Sequence, residues 1–347
     1  MMFFGFHMKT LATLLSLCAT LAACGGGGGG APSSNTNSKS VALSAQNYDV
    51  AATEVMASSV AVSASSGITE SFIGADVQTP LPFTHFVQSH LTQLIKNWRS
   101  SPTVLVGAEL TESIPCSSGT LSITYNDLLG NEVPDAGDYL TLSANNCSLY
   151  GSKLNGEMTI TFNRYTETSF TDFEAFVTAK SSQFVSETNG VATSSNGSFD
   201  MNLSAKMVLN SNGSNQLLTD LKMDIASMTY NITSAGSTKV YEYKNYVLRN
   251  TTYNNQVSQS INGSINIPTL GANTATIQTI KNFVSPASSI SGSRLPYPTE
   301  GMALVTFKEG GTIRATANGT SNAWVELDLN SDGQFETSKS VPWSDIL

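Results

Sequence analysis

Charge, histidine and cysteine are all scarce in this sequence, and each shortage closes off a class of function. Only 12% of the 347 residues are Asp, Glu, Lys or Arg, and 17 basic residues against 26 acidic ones leave a net charge of −9. So few basic groups give no electrostatic footprint for nucleic acid or for an anionic lipid surface. There are 3 histidines, His7, His85 and His90. His85 and His90 do not share a helical face as zinc ligands spaced i, i+4 would. His90 falls on the apolar face of a predicted helix, where a packed core histidine is the plainer reading than a catalytic base. Serine is abundant, yet no G-x-S-x-G elbow and no S-x-x-K pair occurs. The glycine run Gly25–Gly30 follows no strand, which excludes a phosphate loop there.

What is present begins at the N-terminus. Met8-Lys9-Thr10 is followed by an apolar run, Leu11–Leu17, and then by Ala19-Thr20-Leu21-Ala22-Ala23-Cys24. This is the layout of a signal peptide, with an apolar run too short for a permanent membrane span of about 20 residues. Residues 1–7 carry no lysine or arginine, so Met8 reads as the initiator. Leu21-Ala22-Ala23-Cys24 resembles the lipobox of bacterial lipoproteins of the Gram-negative type. The resemblance implies cleavage before Cys24, a diacylglycerol on its sulfur and acylation, for instance by palmitate, of its freed amine. Several acyl chains at about 0.8 kcal/mol per buried methylene make a lasting membrane anchor. In that family an aspartate after the acylated cysteine commonly retains the protein at the inner membrane. Gly25 in that place implies the outer membrane, with the periplasmic and surface faces both left open. The alternative is an ordinary secretory signal with a chance cysteine. Residues 24–43, rich in Gly, Ser and Asn, read as a flexible tether.

The 4 cysteines include Cys18 in the signal and Cys24 at the anchor, which leaves Cys116 and Cys147. An even pair in an oxidising compartment predicts a disulfide. The rival, a redox or metal-bound pair, lacks C-x-x-C spacing and a nearby histidine.

Two helices are predicted across residues 44–100. Ser44 caps the first, from about Ala45 to Ser59, with Tyr48, Ala51, Ala52, Val55, Met56 and Val60 near one face. The second carries Phe83, Phe86, Val87, His90, Leu91, Leu94, Ile95 and Trp98 at helical spacing, with Pro82 in its first turn. From Pro115 the period becomes two. Strands are predicted at Thr120–Tyr125, Tyr139 to Cys147, Met158–Phe162, Phe173–Ala179, Ser198–Val208, Gln216–Tyr230, Val240–Leu248, Ser264–Ile267, Met302–Phe307, Thr312–Ala317 and Trp324–Leu327. Asn155-Gly156, Asn196-Gly197 and Asn262-Gly263 each precede an x-apolar-x-apolar run and read as hairpin turns. The fold class that follows is α+β, mostly antiparallel β: a large curved sheet or open barrel with two N-terminal helices packed on it. Residues 101–290 form the β domain, and residues 291–347 a C-terminal hairpin unit.

The sharpest local chemistry lies in Asp328-Leu329-Asn330-Ser331-Asp332-Gly333-Gln334-Phe335-Glu336. Oxygen side chains at positions 1, 3, 5 and 9 with glycine at 6 resemble D-x-[DN]-x-D-G calcium loops, and Gln334 at position 7 adds a backbone carbonyl. Lys339 stands where an EF-hand needs glutamate, so the resemblance is to calcium loops between β-strands. The alternative is a metal-free Asx-rich turn. Asp135/Asp138 and Asp220/Asp224 are carboxylate pairs of the kind a glycosidase uses. Tyr241 and Tyr243 are expected on one strand face and Tyr246 on the other, as a binding platform or an ordinary sheet surface. Together these features predict a lipid-anchored, non-enzymatic envelope protein, structural or binding, with no required cofactor, a stabilising calcium as the candidate ion of the Asp328–Glu336 loop, and an envelope protein, a glycan or an apolar ligand as candidate partner. The alternatives are a carrier holding an apolar ligand against the sheet's concave face and a hydrolase of glycans or cell wall.

Overall fold

The computed structural model describes residues 40–63, 95, 109–149, 152–169, 171–209, 213–254, 256–271, 273–286 and 297–346. The chain from 109 onward is a meander of fourteen strands. They are β1 (Glu109–Ile114), β2 (Thr120–Asn126), β3 (Tyr139–Leu149), β4 (Ser152–Ser169), β5 (Asp172–Thr188), β6 (Val191–Leu209) and β7 (Asn215–Ser234). Then follow β8 (Ser237–Tyr253), β9 (Gln256–Ile267), β10 (Asn273–Pro286), β11 (Glu300–Phe307), β12 (Thr312–Ala317), β13 (Asn322–Asp328) and β14 (Thr337–Pro342). Each pairs with its sequence neighbours in one antiparallel sheet that ends at β1 and β14 without closing. The C-terminal segment, expected as a unit of its own, extends the same sheet, since β11 pairs with β10 from Ala275↔Phe307 to Val284↔Glu300.

Alternation decides which face is buried. In β12 the odd positions Ile313, Ala315 and Ala317 point inward while Thr312, Arg314 and Thr316 are partly exposed. The same holds along β2, through Leu121, Ile123 and Tyr125. An antiparallel sheet with one wet face shows this pattern. The inward face is filled by side chains, with Phe162, Leu140, Met201, Met223, Leu248 and Val305 all at 0% exposure.

The long strands curl because they are interrupted. Asn146 (φ 49°), Gln183 (φ 118°) and Asn245 (φ 48°) sit in the left-handed region inside β3, β5 and β8. At each the register shifts and the inward parity changes: Ala144 then Cys147, Ser181 then Phe184, Tyr243 then Tyr246. These are β-bulges, which add twist and bend a strand. Opposite them lie the Asn-Gly glycines, which correct the expectation of hairpin turns. Gly156, Gly197 and Gly263 are inside β4, β6 and β9. A Cβ on Gly263 (φ 142°) would stand 2.5 Å from Tyr246 Cα, and one on Gly156 (φ 97°) 2.4 Å from the Gln183 carbonyl oxygen. Asn-Gly supplies the positive φ that both a tight turn and a bulge partner need, so the sequence alone does not separate them. The hairpins turn elsewhere, at Asn189-Gly190 (φ 52°, 77°) and Ala235-Gly236 (φ 50°, 78°).

The bulge at Asn245 also corrects the tyrosine expectation. Tyr246 swings to the same inward face as Tyr243, and their rings meet edge to face at 5.2 Å. Tyr241, Tyr243 and Tyr246 are all core residues, neither platform nor surface.

Helix α1 (Tyr48–Ser63) starts about three residues later than predicted, because Ser44 instead closes a turn with Asn47. Asn47 Oδ1 accepts the Ser44 N–H at 2.7 Å and Ser44 Oγ accepts the Gln46 N–H at 3.3 Å. Tyr48, Ala51, Ala52, Val55 and Met56 are buried as expected. The helix packs against the inward face, where the Tyr243 hydroxyl donates to the Ser58 carbonyl at 3.0 Å. The Tyr241 hydroxyl donates to Glu54 Oε1 at 3.0 Å, and Lys239 Nζ lies 3.3 Å from the same oxygen. Burial, with the Glu54 charge beside it, raises the Tyr241 phenol well above its ordinary pKa, so it remains a donor. A short C-terminal helix, α2 (Trp343–Ile346), tucks Trp343 into the core, edge-on to Phe283 at 6.3 Å. The second predicted helix, including His85 and His90, lies outside the described residues apart from Ile95, which is helical and buried.

Candidate functional site

The β13–β14 connection brings together three of the predicted metal-loop residues. Strand β13 ends at Asp328, which is 2% exposed, and carboxylate oxygens of Asp328, Asp332 and Glu336 lie within 4.8 Å of one another. The loop closes on itself around them. Asp328 Oδ1 and Oδ2 accept the N–H groups of Asp332 (3.2 Å) and Gly333 (2.8 Å), and Glu336 Oε2 accepts that of Leu329 (2.9 Å). Ser331 (φ 59°) and Gly333 (φ 86°) supply the left-handed turns. Asn330 faces Asp332, accepting its N–H at 2.9 Å and donating to its Oδ2 at 3.1 Å, while Gln334 gives its N–H to Asp332 Oδ1 at 2.8 Å. Among the described residues no lysine or arginine is ion-paired with the three acids. Ligand atoms around one calcium ion, each about 2.3–2.6 Å from it, stand at such mutual separations, and all the donors here are hard oxygens. The donor set therefore fits calcium, while the N–H bonds also satisfy the carboxylates of a metal-free turn.

Cys116 and Cys147 form a disulfide with a Cα–Cα distance of 5.4 Å. It ties the segment between β1 and β2 to β3, beside a backbone pair in which Ser117 N–H donates to the Ser148 carbonyl at 2.8 Å. Cys24 and the whole anchor lie outside the described residues.

The carboxylate pairs take structural positions. Asp127 and Asp138 are 1% and 0% exposed at the base of the β2–β3 loop. Asp138 accepts the N–H groups of Leu128 (2.9 Å) and Asp135 (2.8 Å), while Asp127 accepts those of Leu129, Gly130 and Glu132. Burial raises the Asp138 pKa, the two N–H bonds lower it, and the charges of Asp127 and Asp135 add to the rise, so the net shift is upward. Asp220 and Asp224 project from the same face of β7 four residues apart, about 13 Å along a strand, against the roughly 5–9.5 Å that glycosidase pairs need.

A second feature was not foreseen. On the outer face of β4–β8 lies an open groove of about 690 Å³. Cross-strand register builds it in rows: Thr166, Glu174, Ser204, Asp220 and Thr251 in one, and Asn202, Lys222 and Arg249 in the next. At Asn202 and Ser204 the β6 side chains are short, with Lys206 beyond them, while Glu174, Lys222 and Arg249 on the neighbouring strands are long and charged, which leaves a trough over that part of β6. Asp220 is held by Arg249 through Nε (3.0 Å) and Nη2 (2.8 Å) and by the Thr251 hydroxyl (2.8 Å). Burial alone would raise the Asp220 pKa, but the Arg249 and Thr251 hydrogen bonds reverse this and hold it below the usual carboxylate value. Glu174 is held by Arg164 at 2.6 Å and by Asn202 at 3.2 Å. These residues come from five strands at unrelated sequence positions, so no local motif could have announced them.

No helix among the described residues is long and apolar enough to cross a membrane. Comparison with known proteins finds no matching family model, no matching curated protein and no matching solved structure.

Proposed function

We propose that the chain is a lipid-anchored envelope protein that works as a non-enzymatic binding module, held through Cys24 on a flexible tether. The observation that carries this reading is the Leu21-Ala22-Ala23-Cys24 lipobox ahead of the Gly25–Gly30 run. The disulfide supports it, since such bridges persist in the oxidising compartments to which a lipobox directs a protein. The filled inward face favours a module that works through its outer surface over a carrier of apolar ligands. The Asp328–Glu336 loop holds a stabilising calcium in this reading, with Asp328, Asp332 and Glu336 as ligands and Asn330 and the Gln334 carbonyl as further oxygen donors.

Labelling of expressing cells with radioactive palmitate tests the anchor. The wild type takes up label, Cys24→Ala does not, and an unlabelled wild type refutes it. Calorimetric titration with calcium tests the loop: heat is expected from the wild type and none from Asp332→Ala, and identical traces remove the site.

A further inference from the structure

The outer-face groove has the makings of a site for a neutral, hydroxyl-rich ligand. Its two walls, Glu174 on β5 and Asp220 on β7, are separated by β6, hence by about 10 Å at the usual strand spacing. A pyranose ring with its hydroxyls is about 5 Å across, and a hydrogen bond of about 2.8 Å at each rim brings the span to about 10–11 Å. Both wall carboxylates are already fixed and charge-balanced, Asp220 by Arg249 and Glu174 by Arg164. A carboxylate bound in this way keeps free lone pairs, and its arginine keeps free N–H groups, in fixed directions. That arrangement suits vicinal hydroxyls, which need paired donors and acceptors but carry no charge. Because the wall groups are held by their own partners, little side-chain entropy is lost on binding. Ser204 and Asn202 form the floor, while Leu218, on the same face of β7 as Asp220, adds apolar surface of the kind that meets the C–H face of a sugar. Two other ligand classes fit poorly. A polyanion would meet no excess of positive charge, since Lys206, Lys222 and Arg249 in the lining are offset by Glu167, Asp172, Glu174 and Asp220 on a chain of net charge −9, and a peptide strand would find no free backbone edge on a sheet face.

We infer that this groove, lined by Glu174, Asn202, Ser204, Asp220 and Arg249, binds a neutral saccharide. The inference rests on the reading of the chain as a binding module and supplies its ligand class. The test is calorimetric titration of the mature, acylated full-length protein, in a detergent without sugar headgroups, with maltotriose, cellotriose and the N-acetylglucosamine trimer, and with polygalacturonate as a polyanion. Saturable binding of at least one neutral trisaccharide is expected, weakened at least tenfold by Asp220→Asn and by Ser204→Trp, which fills the trough from the solvent side. Circular dichroism melts of both variants check that the fold is retained, and a variant that does not fold is replaced by Glu174→Gln or Asn202→Ala under the same criterion. No binding of any neutral trisaccharide, binding of polygalacturonate alone, or unchanged affinity in either folded variant overturns the inference. A protein that binds saccharide but takes up no palmitate fails the anchor alone, and one that is acylated but binds no saccharide fails this site alone.

Discussion

Removing the carboxylate of Glu54 should loosen α1 from the sheet by an amount the structure lets one work out. Glu54 is 8% exposed and gathers contacts from two places far along the chain. Tyr241 and Lys239 of β8 reach Oε1, and the Thr269 backbone N–H reaches Oε2 at 3.3 Å together with the Thr269 hydroxyl. In Glu54→Ala the buried Tyr241 hydroxyl loses its acceptor, at a cost of about 1–3 kcal/mol. Thr269 is exposed, but its N–H and hydroxyl lose their bonds to a buried carboxylate, about 1 kcal/mol more, and the vacated methylenes cost a similar amount. Lys239 is half-exposed and returns to water, so its ion pair adds almost nothing. The expected total is about 4 kcal/mol, read from urea unfolding followed by circular dichroism. Glu54→Gln keeps an acceptor oxygen and should lose about half as much. A double-mutant cycle with Tyr241→Phe should return a coupling of about 1–2 kcal/mol, because the two residues share one hydrogen bond. A loss below about 1 kcal/mol in Glu54→Ala, or independent effects in the cycle, would refute the view that this carboxylate pins the helix.

Reduction of the Cys116–Cys147 bridge, whose sequence separation is 31, should cost about 4 kcal/mol on the chain-entropy account and lower the melting temperature by about 6 °C in differential scanning calorimetry. An unchanged melt would mean that the bridge constrains nothing in the unfolded chain. Gly263→Ala should cost about 3 kcal/mol or more, since its Cβ would meet the Tyr246 backbone, whereas Gly190→Ala, with nothing within 4 Å, should cost only about 1 kcal/mol. Equal losses in urea would contradict the bulge geometry. The raised Asp138 pKa means the folded state binds the proton more tightly than the unfolded one, so its stabilising contribution is full below the usual aspartate range and falls as pH rises through the folded value. The stability gap between wild type and Asp138→Asn should therefore narrow from about pH 3 to about pH 7, and a gap that widens would reverse the sign of the shift.

How legible the fold was depended on whether a strand kept one phase. Thr312–Ala317 was predicted with its observed ends because alternation runs through it uninterrupted. Strand β1, Glu109–Ile114, was missed because it sits at the sheet edge and buries no side chain fully on either face, so its sequence carries little apolar signal. Strand β10 was missed for another reason: its buried set runs Ala275, Ile277 and then Phe283, with register shifts between. The strands through Met158, Phe173 and Ser198 were found but cut short at the bulges and the Asn-Gly positions. Of the sites, the gathering of Asp328, Asp332 and Glu336 was readable because these residues lie in one short loop. The groove was not, because cross-strand register, set by turns and bulges many residues away, is what brings its walls together.

The bulges in β3, β5 and β8 have a consequence for how this chain tolerates change in length. Each bulged strand is two half-strands of opposite parity joined at one residue. Deleting Asn245 would restore continuous alternation with Tyr241, Tyr243, Tyr246 and Leu248 all still facing inward, whereas deleting Glu242 or Val247 would set two inward residues side by side and turn one of them out to solvent. The surplus residue is thus the position inside the strand whose loss leaves both halves facing the core, while the tips at Gly190 and Gly236, where an added side chain would meet nothing, should accept an inserted residue with little effect on the core.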